Sequence, residues 1–495
     1  MREPVDWPTR DLVSHRVAST PERTAVVDAD GERAWTYRDL DERVDAVAAR
    51  FDAEAEAGDR NRVAALVDTR VGMAPLLFGA MRAGVSLVPL NVDLEAESLA
   101  AQLDRVDPAL LVCERATEET ATGIADCPVV SLDTPQVGAT ALATDDAPPE
   151  PAPLARDDEQ VVLFTSGTTS DPKGVRLTVG NLVASATASA FRLGVTPDDR
   201  WLVTLPTYHM GGLAPFVRAA LYGTTVVVRR SFDVGETAAV IDEHGVTGVS
   251  LVPTMLSRLL DAGWTPPESL RTVLLGGGPA DEALVERCRE RDVPVHPTYG
   301  MTEAASQIAT ARPQTAFAHP GTVGQPLVFT DVTVVDDGAP CAPGERGELV
   351  VDGPTVTPGY LDDERTAVAF GEYGFHTGDL GSRDEDGRLR VVGRVDDRIV
   401  TGGENVVASE VAATIRAVEG VPDAAVVGVP DAEWGERVAA LVTGEVTAEA
   451  VRSHCEATLA PYEVPKTIRV VDALPRTASG TVDREAARRV VDAGE

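Results

Sequence analysis

Alternation between short apolar runs and helix-like stretches constrains this chain more than any other feature. "RVAALVD" precedes a helical segment, and "VSLVPLNV" precedes the amphipathic stretch "AESLAAQLDRV". The rhythm resumes after residue 160 with "QVVLFT", "RWLVTLP", "TTVVVRR", "VTGVSLV" and "RTVLLGG". Each of these but the first is followed within a few residues by helical periodicity. Continuous apolar strands alternating with helices predict mostly parallel sheets covered on both faces. Residues 134–158, rich in Pro, Ala and Asp, read as a surface loop. From about residue 330 the strands shorten and the turns become Gly-rich, as in "DEDGRLRVVGR". After residue 396 a smaller βα alternation appears, with a strand "AAVVGVP" and a last helix "DREAARRVVDA". The expected fold is α/β: a large N-terminal domain over 1–395 that includes a β-rich subdomain, and a small α+β C-terminal domain over 396–495. A chain of 495 residues is long enough for both cores.

Charge narrows the function classes. The chain carries 79 acidic and 44 basic residues, a net charge of −35, spread along its length. Dense surface carboxylates suit a protein working at molar salt, where screening tames their repulsion. The basic residues include only two lysines, Lys173 and Lys466, and scarcity of that long apolar stem fits the same reading. No basic stripe is present to neutralise phosphates, so a nucleic-acid partner is not expected. Cys113, Cys127, Cys288, Cys341 and Cys455 lack CxxC spacing and read as small apolar residues in a reducing compartment. The start "MREPVDWPTRD" has no apolar signal core, and no run of 18 apolar residues escapes interruption by charge. The expectation is a soluble cytoplasmic protein with small-molecule partners; the sequence leaves room for a homodimer.

One of the two lysines stands in "FTSGTTSDPKGV", residues 164–175. Gly167 and Gly174 let the backbone turn tightly, so that consecutive N–H groups can form an anion nest. Thr165, Ser166, Thr168, Thr169 and Ser170 add hydroxyl donors, and Lys173 adds a positive charge. Such a set suits a polyphosphate. The GxxxxGK[ST] spacing of a Walker A loop is absent.

"TSGTTSDPKG" resembles the signature loop of the acyl-adenylate-forming superfamily, which includes acyl-CoA synthetases and luciferases. "YGMTE" at 299–303, "HTGDL" at 376–380 and "GRVDDRIVTGGENV" at 393–406 follow in the family's order. The resemblance implies an enzyme that joins a carboxylate to AMP, releases pyrophosphate and passes the acyl group to a thiol, using ATP, Mg²⁺ and CoA. By the same resemblance the loop around Lys173 holds the β- and γ-phosphates, Thr302 bonds a phosphate and Glu303 holds Mg²⁺. Tyr299 would stack on adenine, with Gly276, Gly277 and Gly278 letting the backbone approach the base. Asp379 and Arg394 would hold the ribose. Asp396 matches the hinge about which the small C-terminal domain moves, and Gly402 and Gly403 would line the pantetheine channel.

"LPTYHMGGLAPFVRAALYG" speaks to the acid. His209 matches the family's gate beside the reacting carboxylate. Arg218, amid apolar residues, is either a snorkelling surface residue or an anchor for a second, non-reacting carboxylate. The second reading resembles the 2-succinylbenzoate–CoA ligases of menaquinone synthesis, as do "LLGGGPA" and "PTYGMTEAASQI", in which Gln307 would either bond the aromatic keto acid or face solvent. A medium-chain or aryl acyl-CoA synthetase would share every nucleotide motif. The family's last motif ends in Gly-Lys, with a catalytic lysine; "LPRTASGTVDREAARR" puts Thr481 there. Losing one such electrostatic contact costs on the order of 10²–10³ in rate. Arg484 or Arg488 would have to reach in, or adenylation is slow, or the chain is a binding or thioesterifying homologue.

Overall fold

The computed structural model describes residues 10–31, 33–58, 60–143, 147–165, 172–431, 434–476 and 482–492. Ser166, Gly167, Thr168, Thr169 and Thr481 lie outside them. Backbone contacts divide the chain into two compact units, one of 1–332 with 351–375 and the other of 333–350 with 376–495.

The first unit contains two eight-stranded sheets. In one, the parallel strands Val295–Met301, Thr272–Leu275, Gly248–Leu251, Arg200–Val203, Thr225–Val228 and Thr24–Asp28 lie side by side. Antiparallel Ser306–Thr310 and Arg33–Thr36 close its two edges. The other runs Glu159–Thr165, Ser86–Pro89, Arg62–Leu66, Leu110–Cys113, Val129–Ser131 and Thr140–Ala141 in parallel, with Lys173–Thr178 and Gly359–Tyr360 added antiparallel beyond Glu159–Thr165. Strands such as Ser86–Pro89, Leu110–Cys113 and Thr225–Val228 are buried at every position. That burial is why they read as apolar runs and not as alternating ones. The helices Tyr37–Gly58 and Val179–Leu193 each touch both sheets, so a helical layer lies between them.

Local chemistry sets the helix ends. Thr178 and Asn181 form a reciprocal capping box at the start of Val179–Leu193, and Gly194 ends the helix at φ 70°. Asn181 also donates to the carbonyls of Pro354 and Val356, at 3.0 and 2.8 Å, and so ties the returning segment 351–375 to this helix. A core of Val249, Leu251, Val273 and Leu275 from the first sheet packs with Leu256 and Leu259 of the helix Pro253–Asp261.

In the second unit, Arg398–Thr401, Glu404–Val407, Gly435–Val442, Ala424–Asp431 and Thr467–Val470 form a five-stranded sheet covered by Ala408–Arg416 and Arg484–Asp492. The expected strand "AAVVGVP" and last helix are both present. The expected division at 395/396 is a cut in the chain; the packing groups residues differently. Strand segments 333–336, 346–350 and 376–383 with Leu389–Arg394 associate with the C-terminal part, because Arg346 pairs with Glu410 at 2.7 Å and Ser409 donates to the Val392 carbonyl. Among its described residues the loop expected at 134–158 carries one short strand, Thr140–Ala141. Cys113, Cys288 and Cys455 are buried, Cys127 and Cys341 half-buried, and all five are free thiols. Among the described residues no helix is long and apolar enough to cross a membrane.

Candidate active site

The strand Glu159–Thr165 leads into the segment expected to hold phosphates. Thr165 closes Glu159–Thr165 and pairs with Lys173, which opens the antiparallel strand returning from the loop. The backbone therefore holds Thr165 and Lys173, on the two sides of that segment in sequence, next to each other. Lys173 Nζ lies 5.4 Å from the centroid of the Tyr360 ring. The Tyr360 hydroxyl donates to Glu303 Oε1 at 2.9 Å, and both side chains are buried. One tyrosine thus brings the loop lysine and the "YGMTE" glutamate into a single cluster. Tyr360 was not expected from sequence. Its only signal is an isolated aromatic after Pro-Gly, which marks a turn and nothing chemical.

The backbone beneath Glu303 is strained. Thr302 and Glu303 occupy a 3₁₀ turn, Thr302–Ala304, after which Ala305 and Ser306 sit at φ 51° and 122°. Non-glycine residues seldom adopt these angles, which persist where surrounding contacts enforce them. Ser185 Oγ donates to the Ala305 carbonyl at 2.7 Å, and the Glu303 carbonyl accepts from Thr357 N. Gly300 is required here, since a Cβ on it would lie 1.8 Å from the Ser306 carbonyl oxygen. Tyr299 is half-buried on the strand just before, and Gly276, Gly277 and Gly278 form the turn at the end of the neighbouring strand Thr272–Leu275.

The acid-facing candidates surround the helix Met210–Tyr222. His209 is its N-cap residue; the ring is open to solvent at one side and packs edge-on against Tyr208, with centroids 4.8 Å apart. Desolvation by the surrounding chain holds its pKa below the ordinary histidine value. Arg218 is 5 % exposed, which removes the snorkelling alternative. Its guanidinium lies 3.9 Å over the Trp201 ring, and Nη1 donates to Ser189 Oγ at 3.0 Å. Nη2 is buried with no hydrogen-bond partner among the described residues. Burial lowers its pKa to about 10, with Asp199 opposing from a distance. Gln307 is buried, not solvent-facing, and its amide nitrogen donates to Thr310 Oγ1 at 2.7 Å.

The remaining candidates belong to the second unit. Asp379 and Arg394 are cross-strand partners, with Nη1 to Oδ1 at 2.8 Å, and the same nitrogen donates to the Thr377 carbonyl. Asp396 is exposed in the 3₁₀ turn Val395–Asp397. Gly402 and Gly403, at φ 60° and 85°, form the two-residue turn of the hairpin joining Arg398–Thr401 to Glu404–Val407. Positive φ at both positions is what a type I′ turn demands. Gly402 N donates to the Trp434 carbonyl, and a Cβ on Gly402 would meet the Trp434 ring at 2.7 Å. Lys466 Nζ sits 3.6 Å over the exposed face of that same ring. Arg484 is held by an ion pair with Asp397, and Arg488 Nε donates to the Gly428 carbonyl at 3.1 Å. Both arginines that follow Thr481 in sequence are therefore engaged within their own unit.

Tyr360 and Glu303 are buried, half-buried Lys173 stands beside them, and all three lie in the unit built on the paired α/β sheets. The chain belongs to the AMP-binding enzyme family: the family model matches residues 13–361, and the model of the AMP-binding enzyme C-terminal domain matches 410–481. It is similar to the 2-succinylbenzoate–CoA ligase of Bacillus velezensis, 38% identical over 95% of each chain, and to that of Geobacillus kaustophilus, 38% identical over 97% of each. Among solved structures it resembles o-succinylbenzoate CoA synthetase of Bacillus subtilis in complex with the acyl-adenylate intermediate, with a TM-score of 0.90 at 33% identity over 97% of this chain and 98% of that one. The same enzyme with ATP and magnesium ion gives 0.87 at 33% identity over 96% and 98%. ATP-bound MatB of Rhodopseudomonas palustris gives 0.88 at 28% over 97% and 98%.

Proposed function

We propose that this chain is an AMP-forming acid–thiol ligase that activates 2-succinylbenzoate as the acyl-adenylate and transfers it to CoA, a step of menaquinone biosynthesis. The observation that carries the choice of acid is Arg218. A buried cation without a carboxylate partner is costly unless an anion completes it. 2-Succinylbenzoate has two carboxylates, one to react and one to meet this guanidinium. His209 stands at the start of the same helix, where its ring would line the reacting end. Gln307 would brace the acid pocket through Thr310.

Lys173, with Thr165, Ser166, Gly167, Thr168 and Thr169, would hold the β- and γ-phosphates, charge-assisted donors being suited to a departing pyrophosphate. Thr302 would bond a phosphate, Tyr299 would cover the adenine above Gly276, Gly277 and Gly278, and Asp379 with Arg394 would hold the ribose. Mg²⁺, when bound, would offset phosphate charge. Glu303 fits it: a buried carboxylate kept in place by the Tyr360 hydroxyl and near a lysine that attracts the same phosphates. Such ions are commonly held by one or two carboxylates plus substrate oxygens.

In this reading residues 396–495 move about Asp396, and Gly402 and Gly403 admit pantetheine. Thr481 leaves the adenylation step short of one cation, with activity retained. The enzyme would work in the cytoplasm of an organism with high internal salt, on small molecules and with no nucleic-acid partner. ATP–pyrophosphate exchange tests the first half-reaction. Exchange that appears on adding 2-succinylbenzoate and not on adding benzoate supports the reading. Exchange equal with both acids counts against Arg218 as the selector.

A further inference from the structure

The strand Val295–Met301 leads at its far end to Thr302 and Glu303. At its near end it borders a groove of about 430 Å³ lined by Arg192, Arg271, Arg312, His296, Asp292 and Phe317 among others. Six steps of strand separate Val295 from Met301, roughly 20 Å, so this groove is distinct from the cluster around Lys173 and Glu303. Its volume lies within the range of about 300–1,000 Å³ usual for small-molecule sites.

The groove is cationic in a chain whose net charge is −35. Arg271 pairs with Asp199. Arg192 is half-buried and donates to main-chain carbonyls, Thr310 at 2.6 Å and Pro326 at 2.9 Å, with no carboxylate among its described partners. Arg312 is exposed and has no ion pair among the described residues. Arg192 is held below the usual arginine pKa by burial first and by the charge of Arg312 second. Asp292 in the lining and Asp199 on Arg271 offset part of this charge, while Arg192 and Arg312 have no carboxylate partner among the described residues and leave the groove suited to an anion. Leu193 and Phe317 add apolar surface beside them.

We propose that this groove binds a small organic anion with at least two negative charges on an apolar body, and that its occupancy tunes the acid site. The link is a short hydrogen-bond chain. Arg192 donates to the Thr310 carbonyl, and Thr310 Oγ1 is bonded to Gln307 Nε2 at 2.7 Å and to Thr298 Oγ1 at 2.8 Å. Drawing Arg192 toward a ligand loosens the end of the strand that carries Gln307. Binding itself does not depend on the proposed reaction; the effect on the acid does.

An aryl dicarboxylate and an aryl phosphate share the required chemistry, so phthalate and phenyl phosphate serve as probes. Calorimetry on the full-length protein, with AMP and 2-succinylbenzoate saturating, compares wild type, Arg312→Glu and Arg312→Lys. One probe should bind saturably to wild type, about tenfold or more weakly to Arg312→Glu, as loss of one charge-assisted contact implies, and nearly as well to Arg312→Lys. The bound probe should shift the KM for 2-succinylbenzoate in wild type, while Arg312→Glu without probe keeps wild-type turnover. The site is refuted if neither probe saturates, if Arg312→Glu binds as tightly as wild type, or if AMP and 2-succinylbenzoate abolish the binding. Saturable binding with an unchanged KM refutes the coupling.

Discussion

Replacing Arg218 with methionine should separate selection of the acid from stability of the fold. The guanidinium is buried, and burial pulls its pKa from the ordinary arginine value down to about 10. A shift of that size corresponds to about 3 kcal/mol of penalty on the charged form. Two contacts oppose it: the stack 3.9 Å over Trp201 and the hydrogen bond to Ser189, worth about 1–2 kcal/mol each. The two sides nearly cancel, so Arg218→Met, which keeps the apolar stem, should leave the melting temperature close to wild type. Catalysis should respond differently. Removing one partner of a buried charge pair costs about 2–5 kcal/mol, so kcat/KM for 2-succinylbenzoate should fall roughly 10²-fold or more, while benzoate, with one carboxylate, should be used no worse than before. The assays are thermal unfolding in molar KCl and CoA-thioester formation with each acid. A variant that unfolds would make Arg218 a structural residue. Equal losses with both acids would show that it does not read the second carboxylate.

Four other changes test separate parts of the account. Thr481→Lys restores the missing cation and should raise the rate of ATP–pyrophosphate exchange by on the order of 10²–10³; an unchanged rate would mean that another group already fills that role. Gly402→Ala puts a Cβ at φ 60° and 2.7 Å from the Trp434 ring, so thioester formation should slow while exchange persists, and loss of exchange alone would contradict the channel assignment. Tyr360→Phe removes the donor to Glu303 and should raise the Mg²⁺ concentration needed for half-maximal exchange by about tenfold, with the melting temperature nearly unchanged. His296 is buried and held down to about pKa 4, through burial first. Its unfolded form takes a proton near pH 6.5 and its folded form only near pH 4. Stability is therefore lost as pH falls between those values, by about 3 kcal/mol in full, and urea unfolding of His296→Gln should show a shallower decline over that window.

Much of the fold was legible because strands buried on both faces leave unbroken apolar runs. Thr225–Val228 and Gly248–Leu251 are such strands, and each is followed by a helix. The first apolar run after residue 160 lacked a following helix for a physical reason: its partner, Lys173–Thr178, returns antiparallel at once. Grouping at the C-terminal side was less legible. Ion pairs such as Arg346–Glu410 join segments far apart in sequence, and nothing in local pattern announces them. The site divides similarly. Lys173, Glu303 and Asp379 stand in ordered motifs, which is what singled them out in the sequence. Tyr360, which joins two of those motifs, carries no pattern of its own. Arg218 was visible as an arginine among apolar residues, but whether it faced solvent or the interior depends on Trp201 and Ser189, which sequence order does not bring together. Gln307 was equally undecided until Thr310 was placed beside it.

Formation of 2-succinylbenzoyl-CoA by the unaltered chain, followed by mass spectrometry in molar KCl with ATP, Mg²⁺ and CoA, tests the central claim most directly. The account predicts a product of that mass, with AMP and pyrophosphate released in equal amounts and none formed when either the acid or CoA is omitted. A folded protein that makes no such thioester, or that makes benzoyl-CoA just as readily, would contradict it.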